Sequence, residues 1–345
     1  MTITPLFAKG FTMVEQGEFT EITVSDPWDT TRILQRYILV PKSEKLPKTL
    51  PSGTLVRTPV SAFACFSAIH VAMLQLLDCE NLICAVAEPE YISAPFVADG
   101  IAGQTIAGLG PVASMNIEKL LEVNPGAILA TPFRNAGYGV AEKAGIPIIE
   151  CADYMEVSPL AQAEWIRCVA RFVHRGERAD SLFRALADRY HALCQLVQQA
   201  EKRPTLFSEK KIGQVWYVAG NESVAGIGFA DAGADYLFRD VKGTGSVPFS
   251  FESVYARAAE ADIWLIKYNR ASGNLTYREL QEEYAPYAYF KAFKEQRILA
   301  CNTAHKPYYE KGLLEPDVVL ADMIHAFHPS LLPNHKPVYF DFLQE

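Results

Sequence analysis

Several features are scarce in this sequence, and each scarcity closes off a class of protein. No apolar run approaches the roughly 20 residues needed to cross a bilayer, so no transmembrane helix is expected. Residues Met1 to Gly10 lack the long apolar core of a secretory signal, which leaves a cytosolic protein or one whose leader was trimmed. Basic residues are outnumbered, with 32 Lys and Arg against 40 Asp and Glu, a formal charge of −8 and a pI near 5.5. A phosphate-backbone partner needs a concentration of Lys and Arg that is missing, which argues against nucleic acid. The seven cysteines (Cys65, Cys79, Cys84, Cys151, Cys168, Cys194, Cys301) are odd in number and contain no CxxC pair. They read as small buried hydrophobes, a usage that leans toward a reducing compartment.

Catalytic and cofactor motifs are equally scarce. Gly226-Ile227-Gly228 is followed by Phe229, Ala230 and Asp231, so the dinucleotide fingerprint is not met. Lys242-Gly243-Thr244-Gly245-Ser246 lacks the Lys-Ser/Thr ending of a phosphate-cradling loop and reads as a flexible surface loop. There is no GxSxG, and the histidines (His70, His174, His191, His305, His325, His328, His335) are scattered, so neither a serine hydrolase nor a zinc site is indicated. No catalytic residue, resident cofactor or metal ligand is assigned.

What is present is an α/β pattern repeated twice. At 345 residues, half of them hydrophobic, the chain exceeds what one compact core usually serves. After an N-terminal segment (1–52), strand-like runs at Gly53–Pro59, Leu82–Ala87, Ala127–Thr131 and Ile146–Glu150 alternate with helical stretches over Ala68–Leu77 and from Ile117. Such alternation signals helices around a mostly parallel sheet, here an N-terminal lobe over 53–175. Leu182, Phe183, Leu186, Tyr190, Leu193 and Val197 then recur at helical spacing, which predicts one long amphipathic helix over 177–203, about 39 Å of rigid strut. Alternation resumes over 204–345, with strands at Ile212–Ala219, Asp235–Asp240, Ile263–Tyr268 and Ile298–Asn302, and helices at Phe251–Glu260 and Val318–Phe327. The expected fold is α/β: two lobes, each a mostly parallel sheet flanked by helices, joined by one long helix.

Open α/β sheets place ligands outside the carboxyl ends of their strands. In the first lobe those ends carry Thr58 to Phe63, with Ser61 and Phe63 as candidates, Tyr91, and Phe133 beside Arg134. In the second they carry Trp216, Tyr217, Tyr268, Arg270 and His305. A ring beside a guanidinium suits a flat anionic ligand, although core packing is an equal reading for any single aromatic. Two glutamates occupy matching places: Glu118 follows Asn116, and Glu252 follows Ser250, each at a predicted helix start. Capping and the helix dipole suffice to explain both.

Ser158-Pro159-Leu160-Ala161-Gln162-Ala163-Glu164-Trp165-Ile166 and Phe249-Ser250-Phe251-Glu252-Ser253-Val254-Tyr255 carry a family resemblance. So do Pro316-Asp317-Val318-Val319-Leu320-Ala321-Asp322 and Phe327-His328-Pro329. From about Gly53 to Phe340 the chain resembles the helical-backbone substrate-binding proteins of ABC importers for ferric siderophores, haem and cobalamin, the class III periplasmic binding proteins. In these stretches it is most similar to the iron-compound binding lipoproteins of Bacteroidetes-like bacteria. The resemblance implies ligand binding between the lobes with little closure, and docking of Glu118 and Glu252 into arginine pockets of a permease. It implies an extracytoplasmic protein, with the signal and lipid-bearing Cys absent from this sequence, and a monomer. Where cobalamin relatives carry tryptophans this chain has Val112 and Thr131, and no axial haem ligand pair stands out, so a preformed ferric chelate is the expected ligand. The rival readings are a chelatase-like enzyme on a two-lobed scaffold and a soluble scavenger or sensor that meets no permease.

Overall fold

The computed structural model describes residues 2–134 and 136–344. The chain divides into two compact units, Met1–Glu156 with Leu160–Arg184, and Val157–Pro159 with Ala185–Glu345.

The first unit contains two sheets. One is N-terminal and runs Thr2–Ile3, Phe11–Glu15, Thr20–Ser25, Ile33–Pro41, Thr54–Thr58, antiparallel except for its last, parallel pair. Phe11, Met13, Ile22 and Val24 are buried while Thr12 is exposed, the period-two pattern of a sheet with one covered face. Thr54–Thr58, expected to open the parallel sheet, instead pairs with Ile33–Pro41. Residues 2–52 of the N-terminal segment are therefore a folded part of the first unit.

Two buried acids fasten this sheet. Glu164, with no exposed surface, accepts from the Leu6, Phe7 and Ala8 N–H groups at 2.7, 2.7 and 2.9 Å and from the Arg167 guanidinium. Glu156 accepts from the N–H groups of Lys9 and Gly10 and from Trp165 Nε1 at 2.9 Å. Gly10 is required here, because a Cβ would fall 2.6 Å from the Trp165 ring.

The other sheet of the first unit is wholly parallel, in the order Ile148–Glu150, Ala127–Ala130, Phe63–Cys65, Ile83–Val86, Ala107–Gly108. Ala64, Ala85, Ile128 and Ala130 form its core with Leu120 of the helix Ile117–Val123. The seven cysteines are free, and five of them, Cys65, Cys79, Cys151, Cys168 and Cys301, are buried.

The helix Gly176–Val197 begins in the first unit and ends in the second. Its 22 residues make about 33 Å. This is shorter than expected, because Gln198–Ala200 continue only as hydrogen-bonded turns.

In the second unit the main sheet runs Asp235–Tyr236, Thr205–Ser208, Ile263–Tyr268, Ile298–Asn302, Asp341–Phe342, parallel except at its last pair. The stretch expected as one strand over Ile212–Ala219 breaks at Gly213, where φ is +61°, into Lys211–Ile212 and Val215–Ala219. These form a separate antiparallel sheet with Ser246–Phe249. The expected flexible loop at 242–246 is tied down: Gly220, Asn221 and Glu222 donate to the carbonyls of Gly245, Val241 and Gly243. Fully buried Asp322 accepts from the N–H groups of Val338, Tyr339 and Phe340 and from His335, anchoring the C-terminal segment.

Candidate functional site

The first unit's parallel sheet grows outward in both directions from Phe63–Cys65, so the strand order reverses between it and Ala127–Ala130. Loops leaving the carboxyl ends at such a reversal diverge and open a crevice, the usual ligand position in open α/β sheets. Phe66 and Ser67 leave one strand there, and Thr131, Pro132 and Phe133 the other. Phe133 is 60% exposed and lies 5.7 Å, centroid to centroid, from Tyr154, whose hydroxyl donates to the Pro132 carbonyl at 2.8 Å. Arg134 is exposed beside it. Tyr91, 66% exposed, ends the short turn Pro89–Tyr91 after the strand Ile83–Val86. These residues make an aromatic edge with one exposed cation.

Two sequence candidates fall elsewhere. Ala62 accepts from the Gly126 N–H at the amino end of the sheet, so Ser61 lies at the opposite edge, and Phe63 is fully buried in the core. The physical reason is that Thr54–Thr58 belongs to the N-terminal sheet, which moves the carboxyl end of the first parallel strand forward to Phe66.

Next to Tyr154 is the buried Asp153, and Glu150 on the adjoining strand is half-buried. Burial pushes the Asp153 carboxyl up to about 7 against a hydrogen bond from Gln162, and its Oδ1 has no partner. Burial also raises Glu150. A raised acid favours the protonated folded state, so this contribution to stability is present below the ordinary carboxyl range and is lost as pH climbs toward 7. Asp153→Asn is expected to raise the melting temperature at pH 8 by roughly 5 °C and to change it little at pH 4. Thermal scans at both pH values check this; an equal shift at the two would refute it.

In the second unit the reversal falls between Thr205–Ser208 and Ile263–Tyr268. Glu209 and Lys267 stand at these strand ends and form an ion pair. Glu209 holds φ at +66°, with its N–H donating to Leu265 and its carbonyl accepting from Trp264 Nε1 at 2.7 Å. A non-glycine residue in this conformation costs on the order of 1 kcal/mol and here aims the carboxylate at the lysine. Burial pushes the Lys267 pKa down, but Glu209 and the neighbouring tyrosines Tyr308 and Tyr309 more than reverse it, so the ammonium stays charged. Tyr309 is 53% exposed at this edge.

Tyr268 ends its strand half-buried, its hydroxyl accepting from the Leu275 N–H at 3.2 Å. Arg270 is ion-paired with Glu279 at 2.7 Å, and that guanidinium, with the Thr276 hydroxyl, lowers the Glu279 carboxyl to about 2. Arg270 is thus a half-neutralised cation. His305 has both ring nitrogens engaged, Nε2 at 3.0 Å from the Ala271 carbonyl and Nδ1 at 3.2 Å from Asn302 Nδ2. It latches the loop over residues 270–275 rather than offering a ligand atom.

Trp216 is fully buried, ringed by Phe207, Trp264, Tyr287 and Phe290, with its Nε1 donating to the Ser208 carbonyl. It is a core residue and not a ligand contact. Tyr217 is 40% exposed and sits in the antiparallel sheet opposite Pro248. The break at Gly213 puts both in the antiparallel sheet rather than on a parallel strand.

Glu118 and Glu252 are exposed in the first turns of Ile117–Val123 and Phe251–Ala258. Asn116 accepts from the Lys119 N–H and Ser250 from the Ser253 N–H, so both helices start where capping predicts. Local backbone N–H donation, then the Ser250 hydroxyl and Lys211, holds the Glu252 carboxyl below its ordinary range. Among the described residues no three His, Cys, Asp or Glu side chains group to hold a metal ion, and no helix is long and apolar enough to cross a membrane.

A profile of the periplasmic binding protein family matches residues 84–304, more than half of the chain. This chain belongs to that family. Its members are non-enzymatic, extracytoplasmic solute-binding proteins, and this protein has a solute-binding role. It is 23% identical to an uncharacterized lipoprotein of Methanocaldococcus jannaschii over 97% of this chain and 84% of the relative. A periplasmic haem-binding protein from Pseudomonas aeruginosa is similar in fold, with a TM-score of 0.64 at 16% identity over 83% of this chain and 99% of that one. An ABC-type Fe3+-hydroxamate transport system protein from Saccharomonospora viridis gives 0.57 at 21% identity over 78% and 94%. Family membership includes the expected architecture, two α/β lobes joined by one long helix.

Tyr154, Glu209, Lys267 and Tyr309 were missed by sequence reasoning. Lys267 had a legible signal, since it lies next to the end of a correctly identified strand. Glu209 had none, because the strand Thr205–Ser208 preceding it was not recognised.

Proposed function

We propose that this periplasmic binding protein captures a ferric chelate and delivers it to the membrane subunits of an ABC importer as a lipid-anchored extracytoplasmic monomer. The observation that carries this reading is the set of exposed rings at a parallel sheet's carboxyl edge, Tyr91, Phe133 and Tyr154, beside Arg134. Rings of this kind suit a bulky, flat or aromatic-rich solute, and the guanidinium suits its negative charge. Tyr268 and Tyr309 supply rings in the second unit, and its cations Lys267 and Arg270 are each ion-paired, with Glu209 and Glu279. The metal arrives inside the chelate as cargo, so the protein needs neither a resident cofactor nor metal ligands of its own.

Glu118 and Glu252 are the docking groups in this proposal. Exposed carboxylates at well-capped helix starts orient a partner and speed encounter more than they add affinity.

The test is isothermal titration of the protein with ferric catecholate and hydroxamate siderophores, haem and cobalamin. One ferric siderophore is expected to bind saturably, and Phe133→Ala and Tyr91→Ala each to weaken it roughly tenfold. Silence across the siderophores, or binding indifferent to both substitutions, sinks the proposal. Contact quenching of tryptophan is a poor readout, because Trp165, Trp216 and Trp264 are fully buried and the half-buried fourth, Trp28, is not part of the aromatic edge.

A further inference from the structure

The first unit contains a second concavity that shares no residue with the aromatic edge. It has a volume of about 530 Å³ and lies between the N-terminal sheet and the residues entering the long helix. That size is typical of small-molecule sites.

The sheet wall is acidic and the helix wall mainly basic. The sheet wall holds Glu18 and Phe19 on the tight turn at Gly17, where φ is +74° and the Gln16 N–H donates to the Phe19 carbonyl at 2.8 Å. The helix wall holds Arg171, His174, Arg175 and Arg178, with one acid, Glu177, among them. His174, in a left-handed conformation at φ +56°, is anchored by a 2.9 Å contact between Nε2 and the buried Thr58 hydroxyl. Arg171 is paired with Asp180, and Arg178 with Asp78. Arg171 lies so close to the helix start that a Cβ on Gly176 would fall 1.6 Å from its guanidinium. Among the described residues Arg175, Glu177 and Glu18 have no ion-pair partner, although all three line this one cavity.

A gap left by imperfect packing tends to close when opposite charges can pair across it. Here the floor is closed by the contact between His174 and the Thr58 hydroxyl, and the turn at Gly17 by the hydrogen bond from Gln16 to Phe19. A simple anion would meet Arg175 but face Glu18, and an amine would do the reverse, whereas a molecule with both charges satisfies each wall. We propose that the cavity is a second ligand site, separate from the solute site, for a small zwitterion such as an amino carboxylate or short peptide, with its carboxylate at Arg175 and its ammonium at Glu18. Phe19, Leu39 and Pro41 line the space for a short apolar body between them.

The test is isothermal titration of the intact protein with glycine, glycylglycine and γ-aminobutyrate, with acetate and methylammonium as single-charge controls. At least one zwitterion is expected to bind with Kd of about 1 mM or tighter, and neither control to bind. Arg175→Gln and Glu18→Gln, both at exposed positions, should each weaken binding roughly tenfold without changing the melting temperature, and Phe133→Ala should leave it unchanged. Absence of saturable binding by all three zwitterions overturns the proposal. Binding that survives both cavity substitutions but falls with Phe133→Ala also overturns it, by assigning the zwitterion to the solute site.

Discussion

Glu164→Ala is expected to destabilise the protein by about 3–5 kcal/mol, because it leaves a buried guanidinium without one of its carboxylates and three backbone N–H groups without an acceptor. Arg167 retains Asp180 at 2.6 Å, so the loss falls chiefly on the segment Leu6–Ala8. Urea unfolding should report the drop, and hydrogen exchange should report lost protection at those three amides. Glu164→Gln keeps an acceptor oxygen and should fall in between. A loss under about 1 kcal/mol would mean that the N-terminal sheet is held by its apolar face alone.

Reversing both rim charges, Glu118→Lys with Glu252→Lys, is expected to lower ligand uptake in cells by at least about a hundredfold while leaving the Kd for the chelate within about twofold. Each site is exposed and its cap is a different residue, Asn116 or Ser250, so a lysine in the first turn costs only about 0.5 kcal/mol against the helix dipole. Folding and binding should therefore survive while docking fails. Uptake by the wild type should also weaken with added salt, as exposed charge pairs do. Undiminished uptake by the double variant would favour a scavenger or sensor that meets no permease.

Much of this architecture could be read from one-dimensional pattern. The helix at Ala68–Leu76, the strand Ile263–Tyr268 and the long helix Gly176–Val197 each follow from apolar spacing, because the covered side of an element repeats with its own period. Both glutamate-bearing helix starts follow from Asn116 and Ser250, because a cap is a contact within three residues. Local chemistry determines such features, and local chemistry is what a sequence displays.

Partner choice was not local, and the tertiary structure decided it. Thr54–Thr58 has the composition of a strand for either sheet, and only pairing with Ile33–Pro41 gave it to the N-terminal one, which took Ser61 and Phe63 out of the site. A left-handed glycine at 213 turned one expected strand into a hairpin and sent Trp216 into an aromatic core. The acids Glu156, Glu164 and Asp322 reach backbone N–H groups across separations of up to 158 residues, a relation that no window of sequence contains. The sequence by itself determined the alternating α/β pattern, the long helix and the charged helix starts. The structure alone decided which strand ends adjoin, since hydrogen-bonded pairing depends on backbone geometry shared by distant segments and leaves little trace in the identity of either.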